Sequence, residues 1–291
     1  MDQVELPAVG GLEAGAVLTT LVNHATPGSE SVTLEPRAGN VADNATGTHR
    51  RLLTLGGAPT AITVLIHPGG VTLRAPAPVL DEATDVVTWW FDLTTDPGPV
   101  AARLSLDPRL APLVSQRPAL RPLRHPAGFE AAIDTVVGQQ VTLSSARLFG
   151  ERLRAAYSPG AVEGLRIFPS ADTLVRAPLE ELRAAVGLTT SRARTVQAVA
   201  QLFADGFHLT PEADPTSARA HLLGVPGVGP WTVEYLALRA LGDPDAFPSS
   251  DAVVRRALDG APAPQAQREA ETWRPHRAWA TAHLWAGQTV G

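Results

Sequence analysis

The chain has 291 residues, of which 44% are apolar, and its formal net charge at pH 7 is −5. This acidic balance excludes nucleic-acid binding driven by bulk positive charge, although it leaves room for a local contact surface made of arginines and backbone amides. The chain has no cysteine, and all 24 basic side chains are arginine, which excludes disulfides, thiol nucleophiles, cysteine-held iron–sulfur clusters and lysine Schiff bases.

The first hundred residues predict a small α+β unit. A short helix is expected over Leu12–Val22, and three short β-favouring runs follow it. These runs are Arg51–Leu55, Ala61–Ile66 and Val71–Arg74. Turn residues rich in glycine and proline separate them, which indicates an antiparallel meander. Two helices, Leu80–Phe91 and Pro99–Leu106, are expected after the meander.

Beyond about residue 110 the β-favouring runs end, and apolar positions recur at helical spacing from Phe129 onward. The later predicted helices are Ser170–Arg176, Leu179–Val186, Ser191–Phe203, Pro215–Leu223, Pro230–Leu241, Ala252–Leu258, Pro264–Trp273 and Arg277–Gly287. Gly187 and Gly242 stand where helix C-caps belong. The sequence therefore predicts an α+β fold, with a small antiparallel-sheet domain over residues 1–108 and an all-α domain over residues 109–291.

A glycine hairpin joins two of these helices, in the run Val225-Pro226-Gly227-Val228-Gly229-Pro230. Glycine adopts positive φ readily and lets another backbone come close. Pro230 fits the first turn of a helix, where its missing N–H is not needed. The free amides of that turn lie at the positive end of a helix dipole, which suits a phosphate. An ordinary helix–turn–helix connection is the alternative, because a bare Gly-x-Gly is weak evidence.

One carboxylate, Asp251, follows the hairpin after the run Pro248–Ser250. An Asp that precedes a helical run is a good N-cap. A carboxylate beside the anomeric carbon of a nucleotide also stabilises the positive charge that develops on the sugar when a base is released. The two roles are compatible, and the second requires that the hairpin hold a nucleic acid beside Asp251.

The hairpin and the acid together resemble the helix-hairpin-helix DNA glycosylases, and among them the AlkA-type 3-methyladenine DNA glycosylase II. The resemblance extends to the runs Gly128–Glu130, Val137–Val141, Trp273–Arg277 and His283–Trp285, and covers most of residues 104–287. It implies an all-α glycosylase domain with a helix-hairpin-helix, and an N-terminal domain like the TATA-binding protein.

The resemblance also assigns roles around the target base. It implies that Asp251 is the catalytic residue and that Trp231, Tyr235 and Trp285 form the pocket for a base flipped out of the duplex. The electron-rich ring faces attract a cationic methylated purine by about 0.5–2 kcal/mol. Ala252 departs from a well-known relative that has tyrosine at this position, which leaves the substrate range open.

The implied contacts with DNA come from the hairpin and two side chains. The backbone of Gly227, Val228 and Gly229 is expected to hold a phosphate without reading sequence. Gln140 matches the position that fills the gap left by the flipped base, although some relatives place an apolar wedge there. Arg239 is predicted to contact a phosphate, with a solvated surface arginine as the alternative.

The resemblance further implies that a monovalent cation binds in the hairpin when DNA is bound. The ligands are expected to be the backbone carbonyls of Leu223, Val225 and Val228. No histidine spacing indicates a metal site elsewhere, and no cofactor is expected.

The missing residue types narrow the implied reaction. Relatives that also cut the strand use a lysine amine, and the endonuclease III branch carries an iron–sulfur loop held by cysteines. This chain has no lysine and no cysteine. We therefore expect a monofunctional DNA glycosylase of base excision repair that hydrolyses the N-glycosidic bond of alkylated purines, of the 3-methyladenine and 7-methylguanine type.

Two alternatives stay open at this stage. One is a non-catalytic helix-hairpin-helix DNA-binding protein, and the other is a related glycosylase for deaminated bases. The expected partner is double-stranded DNA containing damaged bases. Because the chain has no apolar run of 18 or more residues and an acidic start, we expect a cytoplasmic monomer with no membrane span.

Overall fold

The N-terminal part of the protein is a five-stranded antiparallel sheet, seen in a computed structural model that describes residues 1–35 and 45–288. The strands are β1 (Asp2–Pro7), β2 (Glu30–Leu34), β3 (Gly47–Leu55), β4 (Ala58–His67) and β5 (Gly70–Ala75). Their order in the sheet is β1-β5-β4-β3-β2. The predicted meander is confirmed as β3, β4 and β5. The two strands that were not predicted, β1 and β2, are the two edges.

Two helices cover one face of this sheet, α1 (Ala14–His24) and α2 (Leu80–Trp90). Alternate residues of β3 are buried, as expected for a strand with one covered face. The core between sheet and helices includes Leu18 of α1, Val64 and Leu73 of the sheet, and Trp90 of α2. Both helices were predicted from the sequence, within two residues at each end.

The remainder of the described chain is helical apart from a small hairpin of β6 (Ala161–Val162) and β7 (Leu165–Arg166). Its helices are α3 (Pro97–Leu104), α4 (Ala111–Gln116), α5 (Gly128–Val137), α6 (Leu143–Tyr157), α7 (Ala171–Arg176), α8 (Leu179–Val186), α9 (Thr190–Ala204), α10 (Pro215–Leu223), α11 (Pro230–Leu236), α12 (Ala252–Ala257), α13 (Ala263–Glu269) and α14 (Arg277–Gln288). Every helix in residues 1–35 and 45–288 is too short or too polar to cross a bilayer. The predicted α+β fold is confirmed.

The helices form two cores rather than one. The larger core surrounds α5 and α9 and includes the hairpin residues Val225 and Val228. The smaller core joins α3 and α4 to α12, α13 and α14, and it contains Trp273 and Trp279, which are 2% and 4% exposed. Both tryptophans therefore belong to this core. The domain boundary between residues 108 and 109 stays a prediction; α3 precedes it in the chain yet packs with the C-terminal helices.

Buried charges connect the sheet to α5 and α6. Arg51 on β3 donates to Glu130 on α5 at 2.9 Å, and Arg154 on α6 donates to the same Glu130 at 2.8 Å and to Asp134 at 2.8 Å. Glu30 on β2 lies 4.0 Å from Arg51. Burial alone would raise the pKa of Glu30, but a hydrogen bond from His49 and the charge of Arg51 hold it well below its ordinary value. These pairs fix the orientation of α5 against the sheet.

A buried histidine on α14 makes the stability of the fold depend on pH. His283 is 2% exposed, and burial, with the charge of Arg117, lowers its pKa from 6.5 to about 4. Between these values the unfolded chain binds more protons than the folded one. The free energy of unfolding should therefore fall as the pH decreases through this window, by about 2 kcal/mol at pH 5 for this group.

Denaturant unfolding at pH 7 and pH 5 checks this expectation. Between pH 7 and pH 5, the free energy of unfolding of His283→Gln should fall by about 2 kcal/mol less than that of the parent protein, because glutamine does not titrate. His208→Gln, at an exposed position, is the matched control and should keep the parental pH dependence. A parental pH dependence in His283→Gln would contradict the assignment.

Candidate active site and hairpin

The predicted hairpin is present between α10 and α11, and one glycine makes it possible. Gly227 has a φ of +88°, which glycine adopts without steric cost. A Cβ at this position would lie 2.0 Å from Thr195 Oγ1 on α9. The hairpin therefore packs directly on α9, and a side chain at residue 227 has no room.

The outer edge of the hairpin leaves backbone amides free. Val228 N donates to Val225 O at 3.0 Å, which closes the turn. Among the described residues, the amides of Gly227 and Gly229 have no backbone acceptor. A Cβ on Gly229 would have no atom within 4 Å. An incoming group can thus reach this edge without a steric barrier.

The loop after α5 lies against the hairpin through one glutamine. Gln139 Nε2 donates to Gly227 O at 3.2 Å and to Thr232 Oγ1 at 3.0 Å, and Gln139 O accepts from Arg192 at 2.6 Å. Gln140, the next residue, is exposed and has a φ of +53°, an uncommon conformation for a side-chain-bearing residue. Sequence reasoning singled out Gln140 but missed Gln139, which sets its position.

Asp251 accepts four hydrogen bonds. Its Oδ1 accepts from the backbone of Val253 and Val254, both at 3.0 Å, and from Trp285 Nε1 at 3.1 Å. Its Oδ2 accepts from Trp231 Nε1 at 3.0 Å. The predicted N-cap of α12 is confirmed, and two indole N–H groups fix the carboxylate further. A half-buried carboxylate is thus oriented by donors from three elements.

The three predicted pocket residues lie together. Trp231 and Tyr235 stack with their ring centroids 5.3 Å apart and their planes 25° from parallel. Tyr235 and Trp285 are 5.9 Å apart, with their planes at 50°. Since both tryptophans also hydrogen-bond Asp251, the aromatic cluster and the carboxylate form one site.

The loop that carries Asp251 is attached to α11 by a charged residue that sequence reasoning missed. Glu234 Oε2 accepts from the backbone of Phe247 at 3.0 Å, and Glu234 Oε1 accepts from Arg219 at 2.7 Å. Arg219 also pairs with Asp243 at 2.7 Å. No local pattern distinguishes Glu234 from a surface glutamate, because its partners come from elsewhere in the chain.

A polar cavity of about 400 Å³ opens beside this loop. It shares Trp231 with the aromatic cluster, and Ser249 and Ser250 line it. Asp251, Tyr235 and Trp285 do not line it. Its other walls are mostly charged residues already paired with one another, such as Asp245 with Arg277 at 2.8 Å. The cavity therefore lies next to the carboxylate site rather than within it.

Arg239 is buried, so the alternative of a solvated surface arginine is wrong. It belongs to a turn of π-helix, Ala237–Leu241, that continues α11, and it is 8% exposed. Its guanidinium lies over the Tyr235 ring, with Cζ 5.8 Å from the ring centroid. The backbone carbonyl of Arg239 accepts from His125 N at 2.6 Å. The phosphate contact by Arg239 stays a prediction.

The carbonyls predicted to bind a cation stay a prediction. Leu223 and Val228 border the hairpin, and Val225 O already accepts one hydrogen bond from Val228 N. A carbonyl oxygen has a second lone pair, so the oxygen-only set fits a hard monovalent ion. In the described part of the chain, no three acidic or histidine side chains are grouped to hold a metal.

Comparison with known proteins identifies the family. A family model described as "HhH-GPD superfamily base excision DNA repair protein" matches residues 133–274, and another described as "AlkA N-terminal domain" matches residues 3–127. The chain is 30% identical over 217 residues to DNA-3-methyladenine glycosylase 2 of Escherichia coli (strain K12), which covers 72% of each chain. The chain belongs to the HhH-GPD superfamily of base excision DNA repair proteins.

Two further comparisons show how far this likeness extends. The chain is 37% identical over 241 residues to the probable bifunctional transcriptional activator/DNA repair enzyme AlkA of Mycobacterium tuberculosis (strain ATCC 25618 / H37Rv). The match covers 74% of this chain and 47% of that protein, so the chain spans about half the length of this relative. The solved structure of 3-methyladenine DNA-glycosylase from Archaeoglobus fulgidus has the same fold, with a TM-score of 0.78, 19% identity and coverage of 100% of this chain and 99% of that one.

Proposed function

We propose that the protein is a DNA glycosylase of base excision repair that hydrolyses the N-glycosidic bond of alkylated purines flipped out of duplex DNA. One observation carries the proposal: Asp251 is held between Trp231 and Trp285 by indole hydrogen bonds of 3.0 and 3.1 Å. A binding module has no need of a carboxylate fixed in this way. The E. coli relative is named as a 3-methyladenine glycosylase, which agrees with this substrate class.

The reaction assigns a charge-stabilising role to the carboxylate. As the bond between the sugar C1′ and the purine N9 breaks, its electron pair leaves with the base and positive charge develops on the sugar. A fixed carboxylate stabilises this charge more than mobile water does, because it needs no reorganisation. A water oxygen then bonds to C1′ and releases one proton to the carboxylate or to solvent.

The aromatic cluster explains why alkylated purines are favoured. Methylation at N3 or N7 gives the base a positive charge, and ring faces such as those of Trp231 and Tyr235 attract cations by about 0.5–2 kcal/mol. The same charge weakens the glycosidic bond. The bases that bind best are therefore those whose bond to the sugar breaks most easily. Release of such a base therefore needs little acid catalysis.

We assign duplex DNA as the partner, held through the free amides of Gly227 and Gly229 and the adjacent Gln140. These contacts are made to phosphates and at the position that the flipped base leaves. They therefore suit a chain whose net charge is −5. The carbonyls of Leu223, Val225 and Val228 would hold a monovalent cation that faces the same phosphate. We further propose a monomer in which residues 1–108 and 109–291 form the two domains.

The absence of lysine makes the proposed enzyme monofunctional. Strand cleavage by this family's lysine route requires an amine that attacks C1′ and forms a Schiff base. Since the chain has no lysine, water is the nucleophile and the product is an abasic site in an intact strand.

Incubation with N-methylated duplex DNA, with free bases and strand breaks measured separately, tests this function. We expect release of 3-methyladenine or 7-methylguanine without strand breaks above the level of spontaneous abasic cleavage. DNA binding with no base release would instead support a non-catalytic binding protein. Strand cleavage that keeps pace with base release would contradict the monofunctional assignment.

A further inference from the structure

The loop that carries Asp251 borders open space instead of being enclosed by packed side chains. Ser249 and Ser250, the two residues before the carboxylate, line the polar cavity of about 400 Å³ that opens beside this loop. Close packing fixes a segment of chain in a protein interior, but the cavity removes that support on one side of the loop. The position of Asp251 therefore depends on specific hydrogen bonds.

Helix α11 holds the loop at two points. Trp231 Nε1 donates to Asp251 Oδ2 at 3.0 Å. Three residues further along the helix, Glu234 Oε2 accepts from Phe247 N at 3.0 Å. Positions three apart share one face of a helix and are about 4.5 Å apart along its axis. One short stretch of α11 thus holds both ends of the segment from residue 247 to residue 251.

Two tight turns connect these ends. Ser249 N donates to Phe247 O at 2.9 Å, and Asp251 N donates to Pro248 O at 2.8 Å. A displacement of the Phe247 peptide is therefore passed along the turns to Asp251. The Phe247 ring is 2% exposed, so burial holds the ring, and the hydrogen bond to Glu234 holds the peptide N–H.

An ion-pair network fixes the carboxylate of Glu234. Arg219 on α10 donates to Glu234 Oε1 at 2.7 Å and to Asp243 Oδ2 at 2.7 Å. Asp243 lies at the start of the same loop, where its Oδ1 accepts from Asp245 N at 2.8 Å. The Glu234 and Asp243 side chains are 26% and 15% exposed, so salt screens this network less than a surface pair.

We propose that Glu234 is a positioning residue for Asp251, which acts through the peptide N–H of Phe247 while Arg219 keeps the acceptor in place. This rests on the proposed glycosylase function and adds a residue that works only through another. The carboxylate stabilises the sugar cation from a fixed place, and a misplacement of about 1 Å can lower a rate about a hundredfold. Loss of Glu234 should therefore slow the chemical step and leave DNA binding unchanged, because the hairpin amides lie outside this network.

Three substitutions of Glu234 test the proposal, with single-turnover release of methylated purines and anisotropy with a methylated duplex as the measurements. Glu234→Met removes the acceptor and should lower the rate of release about 10- to 100-fold, with an unchanged dissociation constant for the duplex. Glu234→Gln keeps an acceptor at the same reach, so it should keep most of the parental rate. Glu234→Asp keeps the charge but is shorter by one methylene, so it should lose rate as Glu234→Met does. Glu180→Met, which removes an exposed glutamate paired with Arg183, is the matched control and should behave as the parent.

The outcomes separate this proposal from the function on which it rests. An active Glu234→Asp with an inactive Glu234→Gln would show that the charge matters and not the bond to Phe247, and would overturn the proposal. Equal losses in Glu234→Gln and Glu234→Met, a parental rate in Glu234→Met, or a loss of DNA affinity alone would also overturn it and leave the glycosylase function intact. Release of no base by the parent protein would overturn both.

Thermal unfolding shows which variants have folded. If Glu234→Met does not fold, Glu234→Asp provides the same test, because it changes the side chain least and still withdraws the acceptor from Phe247 N. A parental rate in a folded Glu234→Asp would then overturn the proposal, and a slowed rate with parental DNA affinity would support it.

Discussion

Asp251→Asn should lower the rate of release of methylated purines about a hundred- to a thousand-fold, which is the loss seen when one preorganised electrostatic group is removed from an active site. The substitution removes the negative charge that stabilises the sugar cation and preserves the shape of the side chain. Asparagine is as good an N-cap as aspartate, so α12 should keep its cap. One indole bond is lost: Trp231 Nε1 donates to Asp251 Oδ2, and the NH2 group that replaces this oxygen cannot accept a hydrogen bond.

Two measurements distinguish a loss of catalysis from a loss of DNA binding. Single-turnover release reports the catalytic step, and fluorescence anisotropy with a methylated duplex reports binding, which should stay close to that of the parent. Asp259→Asn is the matched control: Asp259 is exposed, pairs with Arg109 on the surface, and has a φ of +54° that asparagine tolerates. Turnover of Asp251→Asn within a few-fold of the parent would contradict the mechanism.

Gly227→Ala should destabilise the protein by about 2–5 kcal/mol. A left-handed backbone costs a side-chain-bearing residue about 1–2 kcal/mol, and forcing an extra methyl into a packed site costs about 1–3 kcal/mol more. Both terms apply, because φ is +88° and the new Cβ would meet Thr195 Oγ1 at 2.0 Å. Denaturant unfolding measures the loss directly.

Gly229→Ala is the companion variant that separates folding from binding. Gly229 has a φ of −105° and open space around its Cβ position, so the variant should unfold like the parent. Its added methyl lies where a phosphate is proposed to approach, so its affinity for duplex DNA should fall. Equal stability of Gly227→Ala and the parent would contradict the packing argument, and parental DNA affinity of Gly229→Ala would contradict the phosphate assignment.

The helices were predictable because their ends carry local information. Leu179–Val186 and Pro215–Leu223 were predicted with the bounds that the structure has, since Gly187 ends one and Pro215 begins the other. The strands β1 and β2 were missed for a physical reason. Both are sheet edges with many exposed residues. Each has only two apolar residues at alternate positions, Val4 and Leu6 in β1 and Val32 and Leu34 in β2, which is too short a pattern to distinguish a strand from a loop.

The site residues could be predicted where the residue type itself indicates the chemistry. They could not be predicted where contacts between distant parts of the chain determine the role of a residue. Asp251 and its aromatic neighbours follow from the motif, and the structure brings them into contact. Gln139 and Glu234 were missed because their partners are 88 and 13 residues away. The burial of Arg239 was not predicted, because helical spacing gives the face on which a residue lies but not what covers that face.

The buried charges between the sheet and α5 have a mechanical consequence. Helix α5 is attached to the sheet near its first turns, through Glu130, and ends at the loop that carries Gln140. A ten-residue helix is a stiff rod of about 15 Å. In the proposed complex, force that the duplex applies at Gln140 would therefore pass through α5 to the sheet. We therefore expect the N-terminal sheet to act as a rigid support for α5 when the proposed enzyme opens a duplex.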